Sequence, residues 1–558
     1  MRAAVVVSDL FRLEDSIQPS RRPRRVSARG EDSPDPLRHA YSSELPLAAV
    51  DVLPAHTDDS PDPPIPPASV GRRSVRGFLW TMLAWGCNRL AILALTLLLA
   101  RLLAPHDFGV VTAALTVIAM LDAALDLGVG AAVIADQEQG ISARARTAFT
   151  VNLGVAVLIA AVGAACSPLI AALFHARSDG YVFALIFLYP LFRGAGQVND
   201  AVLKRDLRFR RRTLVDLTRA TVRIAVSIPL ALAIGGAVSI AAGIVASELA
   251  AMALLWAMVP IRPHLALDAK TVRGLLRFGG QITAIRVLGS FRSGVDYIVV
   301  GAILGTTALG FYGMAYKLPE LLIENVLWIF STIALPAYSR ARAGGHDALR
   351  ATMLRATRLL SLYGLAIGAT LCVLARDAVP VLFSKAWTPA VAPTMIISLS
   401  LGIMAIAWAS GDVFAATGRP GVLLLLDVPA TILMTAAFLL APRWGLVGVA
   451  AVHLIFNCCY CVARLALLRV ITEVSIGSMI GAVAPGLAVG CLVAITGFGL
   501  AALLRTGQLA SLLLLGTVCA LALIAGSLLF ARGPVLQAVR AAMPAGGPVP
   551  RPSGQGQP

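Results

Sequence analysis

RFGGQITAIRVLGSFRSGVDYIVVGAILGTTALGFYGMAYKLPELLIENVLWIFSTIALPAYSR, residues 277–340, decides how the chain is read. It holds two apolar segments long enough to cross a bilayer, yet they carry Arg286, Arg292, Asp296, Lys317, Glu320 and Glu324. A charge at membrane depth costs roughly 2.5 to 3.5 kcal/mol on insertion scales, so such groups normally face a protein interior or a watery cavity and mark a pathway.

The rest of the chain is of the same material. Its 558 residues are 58% hydrophobic and 14% charged, far from a soluble globular profile. A helix crosses the hydrocarbon layer in about 20 residues. Apolar windows of that length fall near 79–103, 108–134, 148–174, 181–203, 214–235, 238–260, 279–304, 310–337, 357–375, 390–417, 421–441, 445–468, 479–504 and 508–531. The expected fold is an all-α polytopic membrane protein of about fourteen transmembrane helices.

The formal net charge is +17, carried almost entirely by arginine. In a soluble protein this would suggest nucleic acid. Here the positive-inside rule accounts for it: with the amino terminus inside, 26 basic residues, Arg464 among them, fall on inner connections and 6 on outer ones. Both termini are expected in the cytoplasm, the chain spanning the cytoplasmic (inner) membrane many times, with no nucleic-acid partner.

Residues 1–72 contain the basic run Arg21, Arg22, Arg24, Arg25 and a twice-repeated SPDP, and cannot bury a core. They are expected to form a disordered cytoplasmic tail, as is 533–558. The apolar run Ala3–Val7 is short and precedes the charges, unlike a signal peptide. All eight cysteines fall in apolar segments, which fits neither a disulfide framework nor a metal site. No GxxxxGK[ST] phosphate loop occurs, and no cofactor is expected.

An internal repeat divides the spans. RLLAPHDFGVV from Arg101 pairs with AILGTTALGFY from Ala302, AVLKRD from Ala201 with AATGRP from Ala415, and GAVSIAA from Gly236 with GLVGVAA from Gly445. The offsets are 201, 214 and 209 residues, close enough for one duplicated six-helix unit. Units of even span number share an orientation, so the two lobes, 73–262 and 263–470, should be related by a pseudo-twofold along the membrane normal. The last two spans, within 471–532, lie outside the repeat and either pack on a lobe or line a lateral groove.

At about 100° per residue, Arg286, Gly289, Ser290, Ser293, Asp296 and Tyr297 share one face of the seventh span. Arg292 stands four residues before Asp296, the spacing of a helical ion pair, which leaves Arg286 the freer cation. On the eighth span Lys317, Glu320 and Glu324 share a face beside Pro319, which should kink the helix. If Lys317 pairs with Glu320, one carboxylate remains for proton or cation coupling. The first lobe offers Arg89 on its first span, and Asp122 and Asp126 on its second. Arg193, Asp200, Glu248, Asp412, Asp427 and His453 stand alone in the sequence and read as structural. Arg89, Arg286, Arg292 and Lys317 are therefore the candidate cations of a central cavity, and Asp122, Asp126, Glu320 and Glu324 its candidate coupling groups. Planar guanidinium groups on both lobes suit an anionic, phosphate-bearing ligand.

LKRDLRFRRR at Leu203–Arg212, LDLGVGAAVI at Leu125–Ile134, VDYIVVGAILGTTALGFYGMAYKL at Val295–Leu318, LPAYSR at Leu335–Arg340 and ATGRP at Ala416–Pro420 resemble the polysaccharide transporter family. These are the O-antigen and exopolysaccharide flippases of the multidrug, oligosaccharidyl-lipid and polysaccharide exporter superfamily, and the likeness covers about 75–470. It implies alternating access and movement of an undecaprenyl-pyrophosphate-linked oligosaccharide across the cytoplasmic membrane, with cavity arginines holding the pyrophosphate. The lipid-linked oligosaccharide, membrane lipids and other polysaccharide-assembly proteins would be its partners; the chain is expected to be a monomer and not an enzyme. Arg205, Asp206 and Arg208, inside the first motif, fall on an inner connection and suit a gate or topology role. Other readings are a drug or small-cation exporter of the superfamily, a polysaccharide polymerase or ligase, which would need a large outer loop, or a transport-inactive scaffold.

Overall fold

The computed structural model describes residues 86, 88–125, 141–205, 208–259, 287–419, 421–504 and 507–530. All of them belong to the unit Pro67–Pro558. The expected tails, and with them Asp126, Asp206 and Arg286, lie outside the described residues.

Every regular element among the described residues is helical. In chain order they are α1 (88–102), α2 (Pro105–Leu125), α3 (Ile141–Ala165), α4 (Ser167–Leu173), α5 (Gly180–Ile186), α6 (Leu188–Arg205), α7 (Phe209–Ala233) and α8 (Gly236–Met258). The second lobe runs through α9 (287–299), α10 (Thr306–Pro319), α11 (Asn325–Ala343), α12 (His346–Leu382), α13 (Val391–Trp408), α14 (Ser410–Ala416), α15 (Gly421–Leu440) and α16 (Gly445–Thr472). Two helices, α17 (Ile476–Leu503) and α18 (Gln508–Phe530), follow it.

The protein is an all-α multi-pass membrane protein: among the described residues nine helical runs are long and apolar enough to cross a bilayer, ten if α3 and α4, bent by 62°, form one span. One of these runs, Gly421–Thr472, holds two expected spans separated by the turn Ala441–Trp444. Helices α1, α2 and α7 lie where the first, second and fifth spans are expected without being among those runs. Directly after Pro319 the helix passes through a π turn, Glu320–Glu324, that joins α10 to α11.

The repeat offset of 201 residues becomes a physical contact. Helix α2 crosses α10 so closely that a Cβ on Gly109 would strike the Thr306 carbonyl, and one on Gly310 the Pro105 carbonyl. Residues 105 and 306, and 109 and 310, differ by that same offset, so equivalent positions of the two copies meet reciprocally, as an axis of pseudo-symmetry requires. The crossing is sealed on several sides. Trp387 is fully buried, packs edge-on to Phe108 and Phe311 at 5.2 and 5.9 Å, and donates its indole N–H to the Ala100 carbonyl at 2.8 Å. Arg101 donates to the carbonyls of Val381 and Leu382. His106 lies 2.9 Å from the Thr306 hydroxyl and 3.2 Å from Asp179.

Outside the repeat, α17 lies along α12: Gly486 and Gly490 meet its backbone at Ser361 and Leu365, and Gly497 meets Val373. Val489, Val493, Leu515 and Cys519 close a small apolar core between α12, α17 and α18. The last two helices thus flank the second lobe.

Candidate functional site

On the far side of the seal a cavity of about 910 Å³ opens between the lobes. Its walls on α2 run from Thr112 to Asp122 and on α10–α11 from Tyr316 to Trp328, all C-terminal to the crossing. Apolar helices with sparse polar positions fold this way because each charge must find a partner or water.

In the first lobe the cavity charges are paired within the wall. Arg193, on α6, lies 3.2 Å from Asp122 of α2 and donates to the Tyr189 hydroxyl at 2.5 Å. Behind it Glu248, 5% exposed at the middle of α8, is held by Arg219 of α7 at 3.1 Å, and Arg219 also holds Asp216 at 3.0 Å. Arg89 lies half-buried on α1, outside the cavity's described walls.

The second lobe is built otherwise. The expected Arg292–Asp296 ion pair does not form. Asp296 is 2% exposed and takes the Tyr312 hydroxyl at 2.9 Å and the His453 Nε2 at 3.0 Å. Those partners stand on α10 and α16, and Asp296 and His453 both line the cavity. Arg292, one turn earlier, turns to Tyr460: its guanidinium lies 5.7 Å from the ring centroid and 3.4 Å from the hydroxyl. Arg464, one turn along α16, stacks on the same ring at 5.3 Å, and its Nε is buried with no hydrogen-bond partner. Neither Arg292 nor Arg464 makes an ion pair among the described residues. The Tyr460 hydroxyl is engaged by Asp427 of α15. Two guanidinium groups thus share one ring, drawn by its electron-rich π system. Each keeps donors for a further acceptor.

Lys317 lies 3.8 Å from Glu320, the expected pairing at its outer distance limit, and both line the cavity with Glu324 of the π turn. Trp328 packs edge-on to Trp408 at 5.3 Å; Trp408 donates to the Ser331 hydroxyl at 2.9 Å, which donates to Asp412 at 2.8 Å. Arg205 ends α6 and Arg208 precedes α7, outside the cavity, at a corner where Asp200 binds Lys204 at 2.6 Å and Arg212 at 3.6 Å.

Of the candidates within the described residues, Arg292, Lys317, Asp122, Glu320 and Glu324 line one cavity and Arg89, Arg205 and Arg208 do not. Sequence reasoning set aside Arg193 and His453 as isolated and assigned Arg464 to an inner connection. Their partners lie on other helices, a proximity that spacing along one helix does not encode.

A family model described as "Polysaccharide biosynthesis protein" matches residues 98–392. The chain is 21% identical over 390 residues to a teichuronic acid biosynthesis protein of Bacillus subtilis, covering 67% of this chain and 80% of that one. It is 24% identical to a succinoglycan biosynthesis transport protein of Rhizobium meliloti, covering 55% and 62% of the two chains. To a lipopolysaccharide biosynthesis protein of Escherichia coli it is 21% identical, covering 68% and 78%. Among solved structures, a lipid II flippase in an inward closed conformation superposes with a TM-score of 0.68 at 12% identity, over 82% of this chain and 100% of that one. An inward-facing multidrug resistance transporter of the MATE family gives 0.56 at 16% identity, over 69% and 94%.

Proposed function

Because the chain belongs to the polysaccharide biosynthesis protein family, we propose that it carries a polysaccharide repeat unit, linked to undecaprenyl pyrophosphate, across the cytoplasmic membrane by alternating access. The observation that carries the reading is the Arg292–Tyr460–Arg464 stack, two cations that form no ion pair with a described carboxylate on the wall of a large cavity. A diphosphate brings oxygens to both forks, and charge-assisted pairs of this kind are the strong ones. The remaining volume, walled by Trp328, Trp408, Asn457 and Gln197, takes the first sugars.

The loop charges support an orientation with both termini in the cytoplasm. In that orientation the α2–α10 crossing seals the outer end and the cavity faces inward. Release outside requires the seal at Gly109, Gly310 and Trp387 to part while the inner ends close. Glu320, Glu324 and Asp122 line the same cavity and are the groups through which an ion gradient would act.

Deleting the gene in its own host tests the reading. Surface glycan should fall while the lipid-linked oligosaccharide accumulates in the inner membrane, and wild-type protein should restore both. Unchanged glycan and carrier levels would remove the function.

A further inference from the structure

ATGRP has no place in the cavity, yet it meets the turn that follows LPAYSR, through Arg342. A pocket of about 270 Å³ is lined by Arg342, His346, Thr417, Arg419 and Thr472 with the backbone of Gly345. Three separate turns supply it: α11–α12, α14–α15 and the end of α16. None of its described lining residues is acidic. The carboxylates next in sequence to the lining residues His346 and Thr472 are engaged, because Arg350 holds Asp347 at 3.4 Å and Glu473 at 2.9 Å while donating to the Thr472 carbonyl at 2.7 Å. Arg342 is held in place by a 2.9 Å bond to the Ala416 carbonyl from one of its five N–H groups. The 37-residue helix α12 starts at the pocket, and its N-cap, Gly345, offers no side-chain acceptor to the first backbone N–H groups.

We propose that this pocket is a second anion site, which takes a phosphate group through Arg342 and Arg419. It is separate from the transport cavity, with which it shares no lining residue. Two guanidinium forks, an imidazole and a helix start converging on a concave surface with no acid among its described lining residues make a phosphate receptor. Basic pockets between helices on the cytoplasmic side of membrane proteins take phospholipid head groups. The cytoplasmic position rests on the orientation given above; the site itself does not. A phosphate seated here ties together three connections of the second lobe, so its occupancy should favour the conformation in which they lie side by side.

The test uses the full chain in neutral-lipid nanodiscs and reads the unfolding midpoint against two probes, inorganic phosphate in the buffer and phosphatidylglycerol in the bilayer. At least one probe should raise the midpoint of the wild type. Phosphatidylglycerol alone doing so identifies a lipid head group, and inorganic phosphate alone a soluble ligand. In Arg342→Gln/Arg419→Gln the half-saturating concentration should rise by about tenfold or more. Arg342→Lys/Arg419→Lys should retain most of the effect. Should the glutamine pair not yield monodisperse protein, Arg419→Gln alone should weaken binding about threefold. The same titration on Arg292→Gln/Arg464→Gln should keep the signal, which separates this pocket from the transport site. No stabilisation by either probe, or equal stabilisation of the wild type and the glutamine pair, overturns the proposal.

Discussion

In the first lobe Arg193 sits 3.2 Å from Asp122 and Arg219 sits 3.1 Å from Glu248; in the second, Arg292 and Arg464 form no ion pair with a described carboxylate and share the ring of Tyr460. The second lobe does not lack acids. Asp296, Asp412 and Asp427 are bonded instead by His453 and Tyr312, by Ser331, and by Tyr460. Both copies of the repeat thus carry cations and carboxylates, but the first joins its cavity arginine to an aspartate, whereas in the second only Lys317 among the described lysines and arginines of the cavity wall has an ion-pair partner and Arg292 and Arg464 have none. A cation neutralised inside its own wall is a structural part, and removing its partner leaves a charge uncompensated. A cation stacked on a ring leaves its attraction for an anion available to a ligand.

The largest effect should come from removing the available cations. Arg292→Ala/Arg464→Ala should lower glycan export by about a hundredfold or more, as two charge-assisted contacts of about 1.5 kcal/mol each imply, with membrane levels kept. Export assayed beside an immunoblot checks this.

Next comes the seam between the lobes. In Gly310→Val the side chain has nowhere to go but into the Pro105 carbonyl, so the sealed conformation should lose population. A cysteine placed at Thr306 should then react with a membrane-impermeant reagent about tenfold faster than in the wild-type background. An unchanged rate would mean that the seam does not gate.

The paired lobe should behave differently. Asp122→Asn alone strands Arg193 and should lower stability by about 1 kcal/mol, the partial exposure of both groups limiting the loss. Asp122→Asn/Arg193→Gln should recover most of it in a double-mutant cycle of unfolding midpoints. A change of similar size is expected from Trp387→Phe, which loses one hydrogen bond to Ala100, about 1 kcal/mol of the sealed state. An unchanged midpoint would mean that this bond does not hold the seal.

Much of this architecture was legible in the sequence, because hydropathy and helix length are local properties. The repeat was legible too, and its pairing of Gly109 with Gly310 marks the place where the copies touch. The wiring was not. The i, i+4 spacing of Arg292 and Asp296 pointed to a pair, but burial of Asp296 put it within reach of His453, 157 residues away, and left Arg292 at the cavity edge. Arg464 was counted with an inner connection because the apolar window ends near residue 468. Helix α16 continues to Thr472, about 12 Å past Arg464 at 1.5 Å per residue, which places that arginine inside the wall. Arg193 seemed isolated for the same reason as His453, since its partner, Asp122, is on another helix.

Binding of undecaprenyl pyrophosphate to the purified full chain, followed by native mass spectrometry, tests the contrast between the lobes most directly. The account predicts affinity weakened by about tenfold or more in Arg292→Gln/Arg464→Gln and unchanged in Asp122→Asn/Arg193→Gln. Equal loss in both variants, or no loss in either, would contradict it.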